Sequence, residues 1–218
     1  MILVNEIFCS IQGEGIYQGL PMVFVRFQGC NLIVHCAYCD TSYAWDGSKG
    51  TNMSVEEIVE KVRSFLPHYH AWVCITGGEP LFQEEGLHDL VKGLKRFGYR
   101  ITVETNGSVK KPYWYTLVDS WVADIKGPSS GVCGVSLEDW FDTRTCDQIK
   151  FVVGTREDLD FTRKLVYKNA AKNPTVLVSP VFPAGKRWLQ EVAELCKEMR
   201  VRMSLQLHRI IWGNKKGV

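Results

Sequence analysis

Three cysteines and a histidine crowd into one short stretch, GCNLIVHCAYCDTSY, residues 29–43. Cys30, Cys36 and Cys39 follow a C-x5-C-x2-C pattern, and His35 adjoins the second thiol. Two chemistries suit such donors. Structural zinc takes four ligands in a closed tetrahedron, commonly as two close pairs well apart in sequence. Here Cys36 and Cys39 would form one pair and Cys30 with His35 the other, yet adjacent ligands such as His35 and Cys36 rarely wrap one small ion without strain. A [4Fe–4S] cube is larger. Three thiolates from one loop can cap three of its irons and leave the fourth open to a small chelating molecule. The pattern alone leans to the cube and leaves zinc open.

The remaining polar residues gather at the ends of predicted strands. VFVRF (23–27) is β-branched and aromatic and leads into Gly29-Cys30. AWVCI (71–75) runs into TGGEP, and RITVET (100–105) ends at Asn106-Gly107. SWVADIK (120–126) carries Asp124 and Lys126, which alternate and so point the same way. QIKFVV (148–153), TVLVSP (175–180) and VRMSLQL (201–207) complete the set. Amphipathic helices lie between them: MSVEEIVEKVRSFL (53–66), EEGLHDLVKGLKRFG, REDLDFTRKLVYKNA and RWLQEVAELCKEM. In the first, Ser54 and Glu57 make a capping box, and Val55, Ile58, Val59, Val62 and Leu66 share one face.

Strands alternating with such helices predict βα units on a parallel sheet, open or closed into an incomplete (β/α) barrel. In both, ligands sit at the carboxyl ends of the strands. Arg26, Cys30, Thr76 to Glu79, Glu104, Asp124, Lys126, Ser179 and His208 all fall there.

A length of 218 residues fits one domain, and a net charge of +2 gives no sign of a nucleic-acid face or a polybasic membrane anchor. The N-terminus has no basic signal region, and no apolar run reaches the ~18–20 residues of a membrane span. The expectation is a cytoplasmic protein whose eight cysteines stay reduced. Cys9, Cys74, Cys133, Cys146 and Cys196 read as small buried or half-buried side chains, and the basic tail LHRIIWGNKKGV as solvated.

Further motifs accompany the thiols: FCSIQGEG (8–15), FVRFQGCN (24–31), CDTSYAWD (39–46), TGGEP (76–80), ETNG (104–107), DIKGP (124–128) and LQLHR (205–209). Together they resemble the 7-carboxy-7-deazaguanine synthases of the radical S-adenosylmethionine (SAM) superfamily, from Ile7 to Arg209. SIQGEG and the Asp-Thr after Cys39 are the most specific parts; GGEP identifies only the superfamily. The usual spacing there is C-x3-C-x2-C, so this chain has two extra residues, which place His35 in an enlarged turn. Residues 129–147 match nothing in the pattern.

The resemblance implies a single domain of about six βα units in an incomplete barrel. Residues 1–20 form a substrate-binding extension and 129–147 an insertion of unknown role. Cys30, Cys36 and Cys39 hold a [4Fe–4S] cluster. Tyr38, Asp40, Gly78, Glu79, Glu104, Asp124, Lys126 and Ser179 hold SAM, and Thr41 supports a Mg²⁺ beside the substrate carboxylate. Gln12, Gly13, Glu14, Arg26, Thr76 and His208 contact the substrate, with Arg26 offering two parallel donors. The implied reaction converts 6-carboxy-5,6,7,8-tetrahydropterin to 7-carboxy-7-deazaguanine with loss of ammonia, through a 5′-deoxyadenosyl radical. A homodimer and a flavodoxin-type electron donor are implied with it. In some family members the chain ends close after the histidine and its end shapes the pocket; here ten residues follow His208. A glycyl-radical activating enzyme is the rival within the superfamily, and a zinc-stapled binding module the rival outside it.

Overall fold

The computed structural model describes residues 1–65, 71–132, 138–172 and 174–218. Leu66 and Cys133 lie outside the described residues, as do 134–137 of the unmatched segment. The strands are β1 (Ile2–Ile11), β2 (Pro21–Phe27), β3 (Thr51–Met53), β4 (Trp72–Gly77), β5 (Arg100–Thr105), β6 (Ser120–Lys126), β7 (Gln148–Val153), β8 (Thr175–Pro180) and β9 (Arg202–Met203). The helices are α1 (Val55–Phe65), α2 (Glu84–Arg96), α3 (Glu138–Phe141), α4 (Arg156–Lys168), α5 (Lys186–Met199) and α6 (Leu207–Trp212).

One sheet runs in the order β3-β1-β2-β4-β5-β6-β7-β8-β9. From β2 to β9 every neighbouring pair is parallel. β1 is antiparallel to both β2 and β3, so the sheet is mostly rather than wholly parallel. The sheet ends at β3 and β9 without closing on itself, which makes it a partial barrel.

Helix periodicity explains the layer outside the sheet. Leu87, Leu90, Val91 and Leu94 of α2 repeat at three and four residues and are all buried, as are Ile58, Val59 and Val62 of α1. Each contributes roughly 1.5–3 kcal/mol by leaving water. They join sheet residues such as Val73, Ile101, Trp121 and Phe151 in one core. The capping box at α1 is present: Glu57 N donates to Ser54 Oγ, and Ser54 N donates to Glu57 Oε2.

Two local features differ from the elements read in the sequence. Residues 1–20 hold a strand that is not among them: β1 is ten residues long and paired along β2 from Val4 to Ile11. The last strand shrinks to Arg202–Met203, and His208 sits in the first turn of α6 rather than at a strand end. Among the other thiols, Cys74 and Cys196 are buried and Cys146 is half-buried, but Cys9 is exposed.

The glycines after β4 have a packing reason. Gly77 has φ +150°, and a Cβ there would lie 2.4 Å from the Phe27 carbonyl oxygen. At Gly78 a Cβ would lie 2.2 Å from the Gly29 oxygen and 2.6 Å from that of Ala44. The backbone of β4 thus touches the segments that begin and end the thiol loop. Gly77→Ala should lower stability by about 2–4 kcal/mol in urea unfolding of the metal-free chain. An unchanged midpoint would contradict this packing.

Candidate active site

The thiol loop leaves β2 at Phe27 and is tied shut at its base. Gly29 N donates to Ala44 O at 2.8 Å, and Cys30 N to Trp45 O at 2.9 Å. Gln28 is fully buried; its amide donates to the carbonyls of Tyr43 and Asp46. The Cys36–Cys39 turn closes on itself through Cys39 N to Cys36 O at 3.1 Å. Ala37 N reaches Ser130 O at 3.0 Å, so the start of the unmatched segment buttresses the turn. The two extra residues lengthen an outward arm: Ile33 is 99% exposed, while His35 folds back and stacks on Trp45 at 4.0 Å.

All three thiols line a cavity of 530 Å³ at the carboxyl ends of the parallel strands. Burial pushes the Cys30 and Cys36 thiols up, so these protons stay on until a metal displaces them. Among the described residues, no three His, Cys, Asp or Glu side chains converge tightly enough for a single metal ion. No fourth described cysteine meets the cavity. Three soft donors on one loop, with no fourth described cysteine in the cavity, fit a cube with one iron lacking a protein ligand.

Four buried charges of alternating sign cross the floor. Glu14 pairs with Lys150 at 2.5 Å, Lys150 with Asp124 at 3.1 Å, and Asp124 with Lys126 at 3.0 Å. Burial works against the ionised forms of Asp124, Lys126 and Lys150. Lys126 and Lys150 nevertheless hold the Asp124 carboxyl below its ordinary value. Asp124 in turn raises both lysines. Gln206 donates to the other Glu14 oxygen at 2.8 Å. The Tyr38 hydroxyl is buried without a partner beside Lys126 and Asp124, a polar atom awaiting a ligand in the cavity.

In the same cavity, Glu104 accepts from Gln12 Nε2 at 3.1 Å and Thr76 Oγ1 at 2.9 Å. This groups Glu104 with residues expected to meet substrate rather than SAM. Arg26 Nε is taken by Glu6 at 2.8 Å, with Phe8 and Tyr43 rings each 5.8 Å from the guanidinium. An anion in the cavity can therefore meet Arg26 only through its two terminal nitrogens. His208 Nε2 lies 3.8 Å from Asp40 Oδ2, and burial notwithstanding, His208 holds the Asp40 carboxyl below its ordinary value. The Asp40 side chain thus faces His208, a residue expected to meet substrate rather than SAM. Gly13 is required next to His208: a Cβ there would sit 1.9 Å from Nδ1. Leu207 N bonds to Gly13 O at 2.9 Å, joining the N-terminal loop to α6. The tail folds back rather than running into solvent: Lys216 Nζ lies 3.8 Å over the Tyr43 ring, and Val218 lines the cavity.

Two expected ligands do not reach the cavity. Glu79 is fully buried behind its wall, accepting from Leu81 N, Thr105 Oγ1 and Asn106 N. It joins the turn after β4 to the end of β5, and burial raises its pKa to about 7. Ser179 is 1% exposed with its hydroxyl unpartnered, while Val181 and Phe182 beyond it face the cavity. The remaining predicted residues come together there. Sequence reading missed Lys150, Gln206 and Trp45. A lysine alternating with apolar residues in QIKFVV was the one available signal for Lys150.

The partial barrel and its three-thiol loop define a radical SAM protein: the profile of the Radical SAM superfamily matches residues 24–196. A 7-carboxy-7-deazaguanine synthase of Methanospirillum hungatei is 38% identical over 95% of this chain and 84% of its own length. One of Koribacter versatilis is 35% identical over 99% of each. The crystal structure of QueE from Escherichia coli superposes with a TM-score of 0.74, at 24% identity, over 95% of this chain and 94% of that one, which shows the shared fold. The chain belongs to the 7-carboxy-7-deazaguanine synthase family.

Lys150→Met leaves Glu14 and Asp124 short of their shared cation and should cost about 3–5 kcal/mol in chemical unfolding; a neutral effect would show that the charge row is not buried as described. Glu79 gives a pH test. Its carboxyl pKa rises from 4.5 unfolded to about 7 folded, so its contribution is full below 4.5 and lost as pH rises through 7. The stability of the native chain relative to Glu79→Gln should therefore fall by on the order of 3 kcal/mol between pH 4.5 and 8. A difference independent of pH would contradict the assignment.

Proposed function

We propose that this chain converts 6-carboxy-5,6,7,8-tetrahydropterin to 7-carboxy-7-deazaguanine with loss of ammonia, a step in deazapurine biosynthesis. Near-full-length likeness to synthases of that name supports the reading. The observation that carries it is a single cavity holding the three-thiol loop, the charge row and the Gln12–Thr76–Glu104 group together.

Cys30, Cys36 and Cys39 would hold the [4Fe–4S] cluster. When bound, the cluster and SAM supply abstraction of a hydrogen atom from the substrate carbon. Gly78, Tyr38, Asp124 and Lys126 would bind SAM: the charge row offers a carboxylate to ribose hydroxyls and an ammonium to the methionine carboxylate. Glu79 and Ser179 act from behind the wall, Glu79 by fixing the turn at Gly78.

The substrate wall is built for a flat polar heterocycle. Glu104, set by Gln12 and Thr76, presents carboxylate oxygens to the amide and amino N–H edge of the pterin. The Gly13 and Glu14 backbone closes over the ring. Arg26 and His208, with Asp40 beside the latter, meet the substrate carboxylate. Thr41 supports Mg²⁺ at that carboxylate, since Mg²⁺ takes oxygen donors and keeps several waters. Phe8, Phe24 and Phe182 exclude water from the reacting carbon.

Two identical chains form the working unit, and a flavodoxin-type protein delivers the electron in the cytoplasm. Each chain is one domain, with residues 1–20 serving the substrate side and 129–147 bracing the thiol loop through Ser130. No helix among the described residues is long and apolar enough to cross a membrane.

Anaerobic incubation with the tetrahydropterin, SAM, Mg²⁺ and a reductant tests the reading, with product identified by mass. 7-Carboxy-7-deazaguanine is expected, and omission of Mg²⁺ should slow turnover severalfold. A fully loaded protein that leaves the pterin untouched yet modifies a glycyl-radical partner would overturn it.

A further inference from the structure

Trp45 touches every arm of the thiol loop. Its carbonyl accepts from Cys30 N at 2.9 Å. Its ring stacks on His35, the residue before Cys36, with centroids 4.0 Å apart and planes inclined by 10°. Its indole Nε1 donates to Cys39 Sγ at 3.2 Å. Thr41 Oγ1 lies 3.5 Å from the same Cys39 sulfur, and Asn106 Nδ2 3.9 Å from Cys30 Sγ. The indole is the nearest of these side-chain groups to a loop sulfur, and it is held in place by the stack with the enlarged turn.

We propose that Trp45 is a positioning residue for the cluster loop that also sets how readily the cluster accepts an electron. The inference rests on the cluster reading above. A donor aimed at a ligand sulfur stabilises the extra negative charge of the reduced state, which raises the reduction potential. The His35 stack supplies a separable part: it orders the two added residues without touching the sulfur's charge. The two roles can be pulled apart by substitution.

The experiment uses the anaerobically reconstituted full chain without SAM. Iron and sulfide content, chelator-challenge half-life and the reduced-to-oxidised ratio at a fixed dithionite poise (by electron paramagnetic resonance) are recorded. Trp45→Phe keeps a ring and loses the N–H; its reduced-to-oxidised ratio should fall roughly three- to tenfold. His35→Leu loses the stack and keeps the N–H; its ratio should stay within about twofold while its cluster is lost faster to chelator. Should Trp45→Phe retain no cluster, replacement of Trp45 by benzothienylalanine keeps the bicyclic shape without the N–H, and must show the same fall. A native ratio in either cluster-bearing Trp45 variant overturns the proposal. Native protein that itself takes up no iron or sulfide overturns the cluster reading and this inference with it, and is told apart because every variant then behaves alike.

Discussion

Charges removed from water persist only when paired, and this constraint organises the cavity. Glu14, Lys150, Asp124 and Lys126 alternate in sign, and each inner member serves two neighbours. The row runs from the loop after β1 through β7 to β6. Its members cannot be moved singly without stranding a charge, so the loop after β1 and the β6–β7 pair hold a fixed relation. Removing Lys150 would loosen both, which a list of contacts taken one at a time would not reveal.

The thiol loop depends on the same sheet by a different means. Its base is tied by backbone bonds from Gly29 and Cys30 to Ala44 and Trp45. The glycines after β4 press against that base with no room for a side chain. Glu79 locks the adjoining turn to β5. Loop, turn and strand end are therefore tied together, and the three thiols and the charge row line the same cavity. Preorganised dipoles and excluded water are what a protein can contribute when the bound groups carry the bond-breaking.

The parallel core was legible because it follows from periodicity. β6, β7 and β8 have the bounds that alternation and β-branching predict, and α2 shows its buried face at every third and fourth residue. The antiparallel β1 escaped notice because ILVNEIFCSI mixes charge with apolar residues without a clean period. Local motifs placed the thiols, Arg26, Asp124 and Lys126 at the cavity, since strand ends fix direction. They could not show that Glu79 turns inward, that Glu104 sides with Gln12 and Thr76, or that Glu6 occupies Arg26 Nε. Those facts depend on pairings between residues far apart in sequence. Lys150 was hidden for the same reason: within QIKFVV it is one lysine, and only the fold sets it between two carboxylates.

The whole account turns on three thiols of one loop gripping a cube that keeps one iron free of protein. Iron, acid-labile sulfide and zinc should be measured on anaerobically purified protein, with Mössbauer spectra taken before and after SAM is added. The account predicts about four irons and four sulfides per chain and a change at one iron site on adding SAM. Protein that carries zinc and no sulfide, or a cluster whose iron sites ignore SAM, would contradict it.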